Sequence, residues 1–106
     1  MNPFAKKNSS QPDFELFTIY DSKTAIYDKP MFAKNKNDLV REFINFYQNP
    51  DHKQSKLVLN AEDFSLFKIG SYDSSHGVIS TQNIEHVANM IDLRSIAQPS
   101  PGIVPT

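Results

Sequence analysis

The spacing of apolar residues changes along the chain from strand-like to helix-like and back. Two apolar runs, Phe14 to Tyr20 and Ile26 to Ala33, are rich in aromatic and branched residues and predict two strands. The Asp21 to Thr24 segment between them carries turn-forming residues, so the two strands are expected to form a hairpin. Pro30 cannot donate a ladder hydrogen bond, which predicts that the second strand lies at an edge or is broken there.

A helix is predicted next, because the following apolar residues recur at helical spacing: Leu39, Val40, Phe43, Phe46 and Tyr47. Asn35 or Asn37 can cap this helix, and Asp38 suits the positive end of the helix dipole. Pro50 prevents the helix from continuing. We expect the Phe and Tyr stripe to pack on a sheet and form the core.

The strongest strand signal is Phe64 to Asp73, and the same composition resumes at Val78 after a short polar loop. The loop, Ser74 to Gly77, predicts a hairpin in which Gly77 takes a left-handed conformation. Gly70 lies in the middle of the strand, where a bulge or a close backbone approach is the usual reason for a glycine.

After this hairpin, apolar residues at helical spacing predict a short second helix over Asn83 to Leu93. The resulting fold is a single α+β domain over residues 13–94, in the order strand, strand, helix, strand, strand. Its sheet is mostly antiparallel, with the main helix on one face. A polar arm is predicted for residues 1–12 and a Pro-rich disordered tail for residues 95–106.

Composition narrows the range of functions. The 106 residues include no cysteine, which removes disulfides, thiolate metal sites and thiol nucleophiles. A formal net charge of -1 argues against a dedicated high-affinity nucleic-acid binder, although lysines are locally dense. No apolar run approaches a membrane span, and the amino terminus lacks an apolar signal core. These features predict a cytoplasmic protein, and self-association would support so small a core.

No arrangement in the sequence favours catalysis. The three histidines, His52, His76 and His86, are too far apart along the chain to suggest a shared metal. Asp63 and Asp73 would lie at opposite ends of a strand about 30 Å long, at roughly 3.3 Å per residue. Ser74, Ser75 and His76 would lie on an exposed hairpin without an oxyanion arrangement. We therefore expect a protein that is not an enzyme and uses no cofactor.

Aromatic residues and lysines alternate in a way that suits single-stranded nucleic acid, which stacks its bases on exposed rings flanked by cations. Strand alternation predicts that Phe67 and Ile69 point inward while Lys68 and Tyr72 point outward. The predicted nucleic-acid-binding residues form one outward face: Lys29, Lys34, Lys36, Lys68 and Tyr72. The alternative is that the rings (Tyr20, Tyr27, Phe32, Phe67 and Tyr72) fill the core and the lysines are ordinary surface residues.

Two blocks of the sequence resemble a known family. The first reads Asn-Ala-Glu-Asp-Phe-Ser-Leu-Phe-Lys-Ile-Gly-Ser-Tyr-Asp from Asn60 to Asp73 and is followed by Gly77. The second combines Phe-Thr-Ile-Tyr-Asp from Phe17, Pro-Met-Phe-Ala from Pro30, and a helix opening near Asn37. In order and spacing they are similar to the small non-structural protein of gokushoviruses, which are single-stranded DNA phages among the microviruses. Ala61 departs from the family pattern, which has a proline before the acidic residues.

The resemblance implies a phage accessory protein that acts in single-stranded DNA synthesis, or in coupling that synthesis to packaging, within the host cytoplasm. Its expected partners are single-stranded DNA or the phage replication and packaging proteins. The other hypothesis is a protein-protein adaptor in capsid assembly or host interaction that makes no contact with DNA. The net charge favours the adaptor, and the lysines interleaved with aromatic residues favour DNA.

Overall fold

Five strands and three α-helices make up residues 12–98, the part of the chain that this computed structural model describes. In chain order they are β1 (Phe14–Asp21), β2 (Ile26–Tyr27), β3 (Met31–Ala33), α1 (Lys36–Gln48), α2 (Lys56–Leu59), β4 (Phe64–Asp73), β5 (Val78–Asn89) and α3 (Met90–Ala97). The strands pair antiparallel in the order β2-β1-β4-β5, and β3 also pairs with β1. The predicted α+β class with an antiparallel sheet is confirmed.

β1 is an inner strand of the sheet. β2 and β3 pair with one side of β1, and β4 pairs with its other side. Four successive residues of β1 are buried: Leu16, Phe17, Thr18 and Ile19. Since successive side chains of a strand point to opposite faces, this strand is covered on both faces. Apolar residues at successive positions, Leu16 and Phe17, suit this double burial.

The predicted second strand is broken at Pro30 into β2 and β3, which both remain at the edge of the sheet. The turn before it forms as expected, because the Asp21 carboxylate accepts a hydrogen bond from the Lys23 N–H at 2.9 Å. The segment between β2 and β3 is held to β1 by Asp28. Its N–H donates to the Ile19 carbonyl at 2.8 Å, and its carbonyl accepts from the Thr18 hydroxyl at 2.7 Å.

β4 occupies the predicted residues but contains a bulge at Ile69. Leu16 of β1 pairs with Gly70, whereas Phe17 pairs with Lys68, so Ile69 has no partner on β1. A side chain added at Gly70 would collide with the Ser80 carbonyl oxygen of β5, which explains the glycine. Both sequence-based explanations for Gly70, a bulge and a close backbone approach, are confirmed. Gly77 closes the β4-β5 hairpin with φ 66°, the predicted left-handed conformation.

The helices cover one face of the sheet. α1 begins after Asn35, whose side chain accepts a hydrogen bond from the Asp38 N–H at 2.8 Å, and it ends before Pro50. The core between helices and sheet contains Phe17, Ile19, Ala33, Leu39, Tyr47, Val58, Ala61, Phe64, Leu66, Met90 and Leu93. The predicted role of the α1 aromatic stripe in core packing is confirmed, since Phe43 and Phe46 pack against this core.

One predicted element is wrong in its greater part. The segment from Asn83 to Asn89 belongs to β5, and helix α3 begins only at Met90. Strand pairing with β4 overrides the helical spacing there, because Glu85, His86 and Ala88 pair directly with β4 residues. α3 then continues to Ala97, beyond the predicted domain end at residue 94. Residues 1–11 of the predicted arm and 99–106 of the predicted tail lie outside the described part of the chain.

Candidate nucleic-acid interface

The face of the sheet opposite the helices is the candidate site, and strand pairing determines which side chains lie on it. Paired residues of neighbouring strands point to the same face. Ile19 pairs with Leu66, and both belong to the core under the helices. Thr18 pairs with Phe67 on the opposite face, which we call the open face. No helix within residues 12–98 packs its apolar side against this face, because the core cluster contains none of its residues.

One group of aromatic rings lies at the end of the open face where β1 meets β2. The ring centroids of Tyr20 and Tyr27 are 4.6 Å apart, and those of Tyr27 and Phe67 are 5.9 Å apart. His86 of β5 extends the group, with its ring centroid 5.4 Å from that of Phe67. Tyr27 is nevertheless 49% exposed. These rings therefore support one another while leaving surface available to a ligand.

A second aromatic pair lies further along the open face. The ring centroids of Phe32 and Tyr72 are 5.4 Å apart, and Phe32 is 53% exposed. Phe32 pairs with Leu16 of β1, and Tyr72 pairs with Phe14 and with Ile79 of β5. The open face thus presents aromatic or aliphatic side chains from all five strands of the described sheet.

A concavity of about 400 Å³ opens on this face. Its lining comes from β1, β2, β4 and β5 and from the residue after β2: Thr18, Tyr27, Asp28, Ile69 and Ile84. The sheet is curled, so residues of β2 and β5 line the same concavity. Most of the exposed lining is apolar, and the Thr18 hydroxyl donates a hydrogen bond to the Asp28 carbonyl.

The structure does not assemble the predicted face of Lys29, Lys34, Lys36, Lys68 and Tyr72. Lys68 pairs with Phe17 and so points to the helix face, where its ammonium lies 3.2 Å from the Glu15 carboxylate. Lys36, the first residue of α1, lies 3.3 Å from the Glu85 carboxylate. Hydrogen bonding to Lys36 and its positive charge lower the pKa of Glu85, and burial opposes them. These two lysines therefore belong to ion pairs on the helix side.

The bulge at Ile69 explains why Lys68 and Tyr72 do not share the predicted face. A single extra residue reverses the faces of all later side chains, so Lys68 and Tyr72 lie on opposite faces although they are four positions apart. Phe67 precedes the bulge, and its pairing with Thr18 places it on the open face, although it was expected to point inward. Ile84 and His86 were missed as site residues because their segment was expected to be helical.

Lys29 and Lys34 differ from the other two lysines. Lys29 lies in the segment between β2 and β3, next to Asp28, and Lys34 directly follows β3. Both are exposed, and neither forms an ion pair with another residue in the described range. Lys29 is two residues from Tyr27 and Lys34 is two residues from Phe32, so both lysines lie on the edge that carries these exposed rings.

Comparison with known proteins identifies the family of this chain. A family model described as Phage ORF5 protein matches residues 14–93. The chain belongs to the Phage ORF5 protein family. This confirms the phage origin that the resemblance implied. No curated protein and no solved structure gave a significant match.

The matched region of this Phage ORF5 protein runs from the first residue of β1 into α3. It therefore includes the whole open face, with its two aromatic groups and the concavity between the sheet edges. Among the described residues, none of the helices has the length and apolar character needed to cross a membrane.

Proposed function

We propose that this Phage ORF5 protein is a non-structural accessory protein of a gokushovirus-type microvirus that binds single-stranded DNA on its open face. It acts in the host cytoplasm, in viral DNA synthesis or in the coupling of synthesis to packaging. Its role is binding, without catalysis and without a cofactor. The observation that carries the proposal is the set of partly exposed rings on a sheet face that the helices leave uncovered.

Base stacking is the interaction that such a face supports. Each base stacked on an aromatic ring contributes about 1–3 kcal/mol, largely regardless of sequence. The Tyr20, Tyr27 and Phe67 group and the Phe32 and Tyr72 pair offer two places for stacking on one face. Lys29 and Lys34 at the neighbouring edge are available for phosphate groups. Duplex DNA, whose bases are already stacked, would gain little from these rings.

The test is fluorescence anisotropy with a labelled single-stranded oligonucleotide at low salt. Replacing Tyr27 or Phe32 with alanine should weaken binding by about tenfold, because each ring contributes one stack. Both rings are about half exposed (49% and 53%), so the fold should survive their removal, which circular dichroism would verify. Tyr72→Ala should weaken binding as well, since Tyr72 supports the ring of Phe32.

Leu59→Ala is the matched control. Leu59 is 55% exposed, similar to Phe32, but it lies in α2 on the helix side. Its replacement should leave the affinity unchanged. If the unaltered protein gave no anisotropy change at micromolar concentration and low salt, direct DNA binding would have to be abandoned.

A protein-protein adaptor is the second candidate, and β5 is the observation that favours it. This strand pairs with β4 along one side, and within residues 12–98 no strand pairs with its other side. Val78, Ile79 and Ile84 of β5 are exposed at 49%, 54% and 47%. An open, apolar edge of this kind can accept a strand from another protein. The adaptor function would become the preferred hypothesis if the anisotropy test showed no binding of DNA.

A further inference from the structure

The concavity on the open face is selective in its chemistry. It is an open concavity of about 400 Å³, so an occupant would rest against its walls with one side still exposed to solvent. Tyr27 forms an aromatic wall, and Ile69 and Ile84 form aliphatic walls. An occupant therefore meets a flat ring on one side and branched aliphatic groups on the other.

The exposed lining of the concavity is almost wholly apolar, and the Thr18 hydroxyl and the Asp28 backbone groups are already hydrogen-bonded within the protein. The Thr18 hydroxyl donates to the Asp28 carbonyl at 2.7 Å, and the Asp28 N–H donates to the Ile19 carbonyl at 2.8 Å. A ligand that turned a polar edge toward Ile69 and Ile84 would lose its bonds to water without replacement. The walls therefore favour a planar group that carries an apolar substituent.

We infer that the concavity takes a thymine base of single-stranded DNA, with the thymine C5-methyl group against Ile69 and Ile84. This inference rests on the proposed function and specifies which base the face prefers. Among the DNA bases only thymine carries a methyl group, and apolar side chains recognise it by direct contact. The thymine ring would lie beside Tyr27, whose ring is 5.9 Å from that of Phe67.

The charges along residues 26–34, where the lysines Lys29 and Lys34 outnumber the one carboxylate, that of Asp28, favour a nucleotide over an apolar side chain of a protein. Lys29 is adjacent in sequence to Asp28, which lines the concavity, and has no carboxylate partner among the described residues. Its ammonium is available to the phosphate of the strand whose base enters the concavity. An apolar side chain would contact the apolar walls but would not pair with the Lys29 ammonium.

The test compares oligothymidylate with oligodeoxyuridylate of equal length, which differ only in the C5-methyl groups. The unaltered protein should bind oligothymidylate about fourfold more tightly for the one methyl group buried. Ile84→Ala should bring this ratio toward one, because it removes part of the methyl-contacting wall. Ile84 is 47% exposed, so the variant should fold. Ile96→Ala, in α3 and 61% exposed, is the matched control and should leave the ratio unchanged.

The outcomes separate this inference from the proposed function. Equal binding of the two oligonucleotides, or tighter binding of oligodeoxyuridylate, would overturn the thymine preference and leave single-strand binding standing. A ratio that Ile84→Ala leaves unchanged would also overturn it, since the methyl group would then contact another part of the protein. Binding of neither oligonucleotide would overturn both proposals and would indicate a protein partner as the occupant.

Discussion

A single residue, Ile69, determines which side chains of β4 share a face. Before the bulge, Leu66 lies in the core and Phe67 lies on the open face. Strict alternation would place Tyr72 on the same face as Lys68, but after the bulge Tyr72 lies on the open face and Lys68 on the helix side. The sequence signalled the irregularity through Gly70 but did not reveal on which side of the glycine the extra residue falls. The residue types at the candidate site were therefore predictable, while their distribution between the two faces was not.

Gly70 should tolerate no side chain. We expect Gly70→Ala to lower the free energy of unfolding by about 1–3 kcal/mol, because the added methyl group would overlap the Ser80 carbonyl oxygen. Backbone cannot move aside as the end of a flexible side chain can. Urea denaturation would measure the loss. Ser71→Ala, one residue along the same strand, should change stability by less than about 0.5 kcal/mol; equal losses for the two variants would contradict this explanation.

Tyr47 should make stability sensitive to alkaline pH. Burial raises the pKa of Tyr47 to about 12, against which the charge of Arg94 acts in the opposite direction. In the unfolded chain a tyrosine ionises near pH 10, so between about pH 10 and 12 only the unfolded state releases this proton. The unfolded state then binds fewer protons than the folded state, and stability falls as pH rises.

The measurement is the difference in unfolding free energy between the unaltered protein and Tyr47→Phe. At neutral pH the variant should be less stable by about 0.5–1.5 kcal/mol, because the Tyr47 hydroxyl donates to the Leu57 carbonyl at 2.8 Å. This difference should shrink as pH rises above about 10. The remaining tyrosines are common to both proteins and cancel in the difference. A gap that stays constant up to pH 11 would mean that Tyr47 ionises as freely in the folded protein as in the unfolded chain.

At the scale of elements, the sequence predicted correctly those strands, turns and helix ends that depend on residues close together in the chain. β1, β4, the hairpin at Gly77 and the end of α1 before Pro50 all depend on composition, turn residues or proline. The segment Asn83 to Asn89 behaves differently, because its helical spacing competes with pairing to β4. Pairing with a distant strand is not visible in a local window, so the helix prediction failed there and His86 was missed.

The start of α1 offers a prediction that decides between two candidate caps. Asn35 accepts the hydrogen bond from the Asp38 N–H, whereas Asn37 lies inside the helix. We expect Asn35→Ala to cost about 0.5–2 kcal/mol of unfolding free energy, as loss of an N-cap does. Asn37→Ala, measured in the same urea experiment, should be neutral or slightly stabilising, because alanine is the better helix former. The reverse order of the two variants would place the cap at Asn37.

At the scale of the whole molecule, charge limits how the proposed binding of DNA can occur. The net charge is -1, and two of the four lysines predicted to bind DNA are engaged by carboxylates on the helix side. Lys29 and Lys34 remain beside the open face. Affinity would therefore come mainly from stacking, and the steep loss of affinity with salt that four phosphate contacts would give should not be observed.

The salt dependence of binding tests this division of the lysines. Each phosphate contact to a single strand contributes about −0.7 to the slope of log K against log salt concentration, so two contacts give about −1.4. Lys29→Gln or Lys34→Gln should each make the slope shallower by about 0.7. Lys36→Gln and Lys68→Gln change the net charge by the same amount at the helix side and should leave the slope unchanged. If all four variants shifted the slope equally, DNA binding would depend on the overall charge of the protein. The open face would then not be the binding surface.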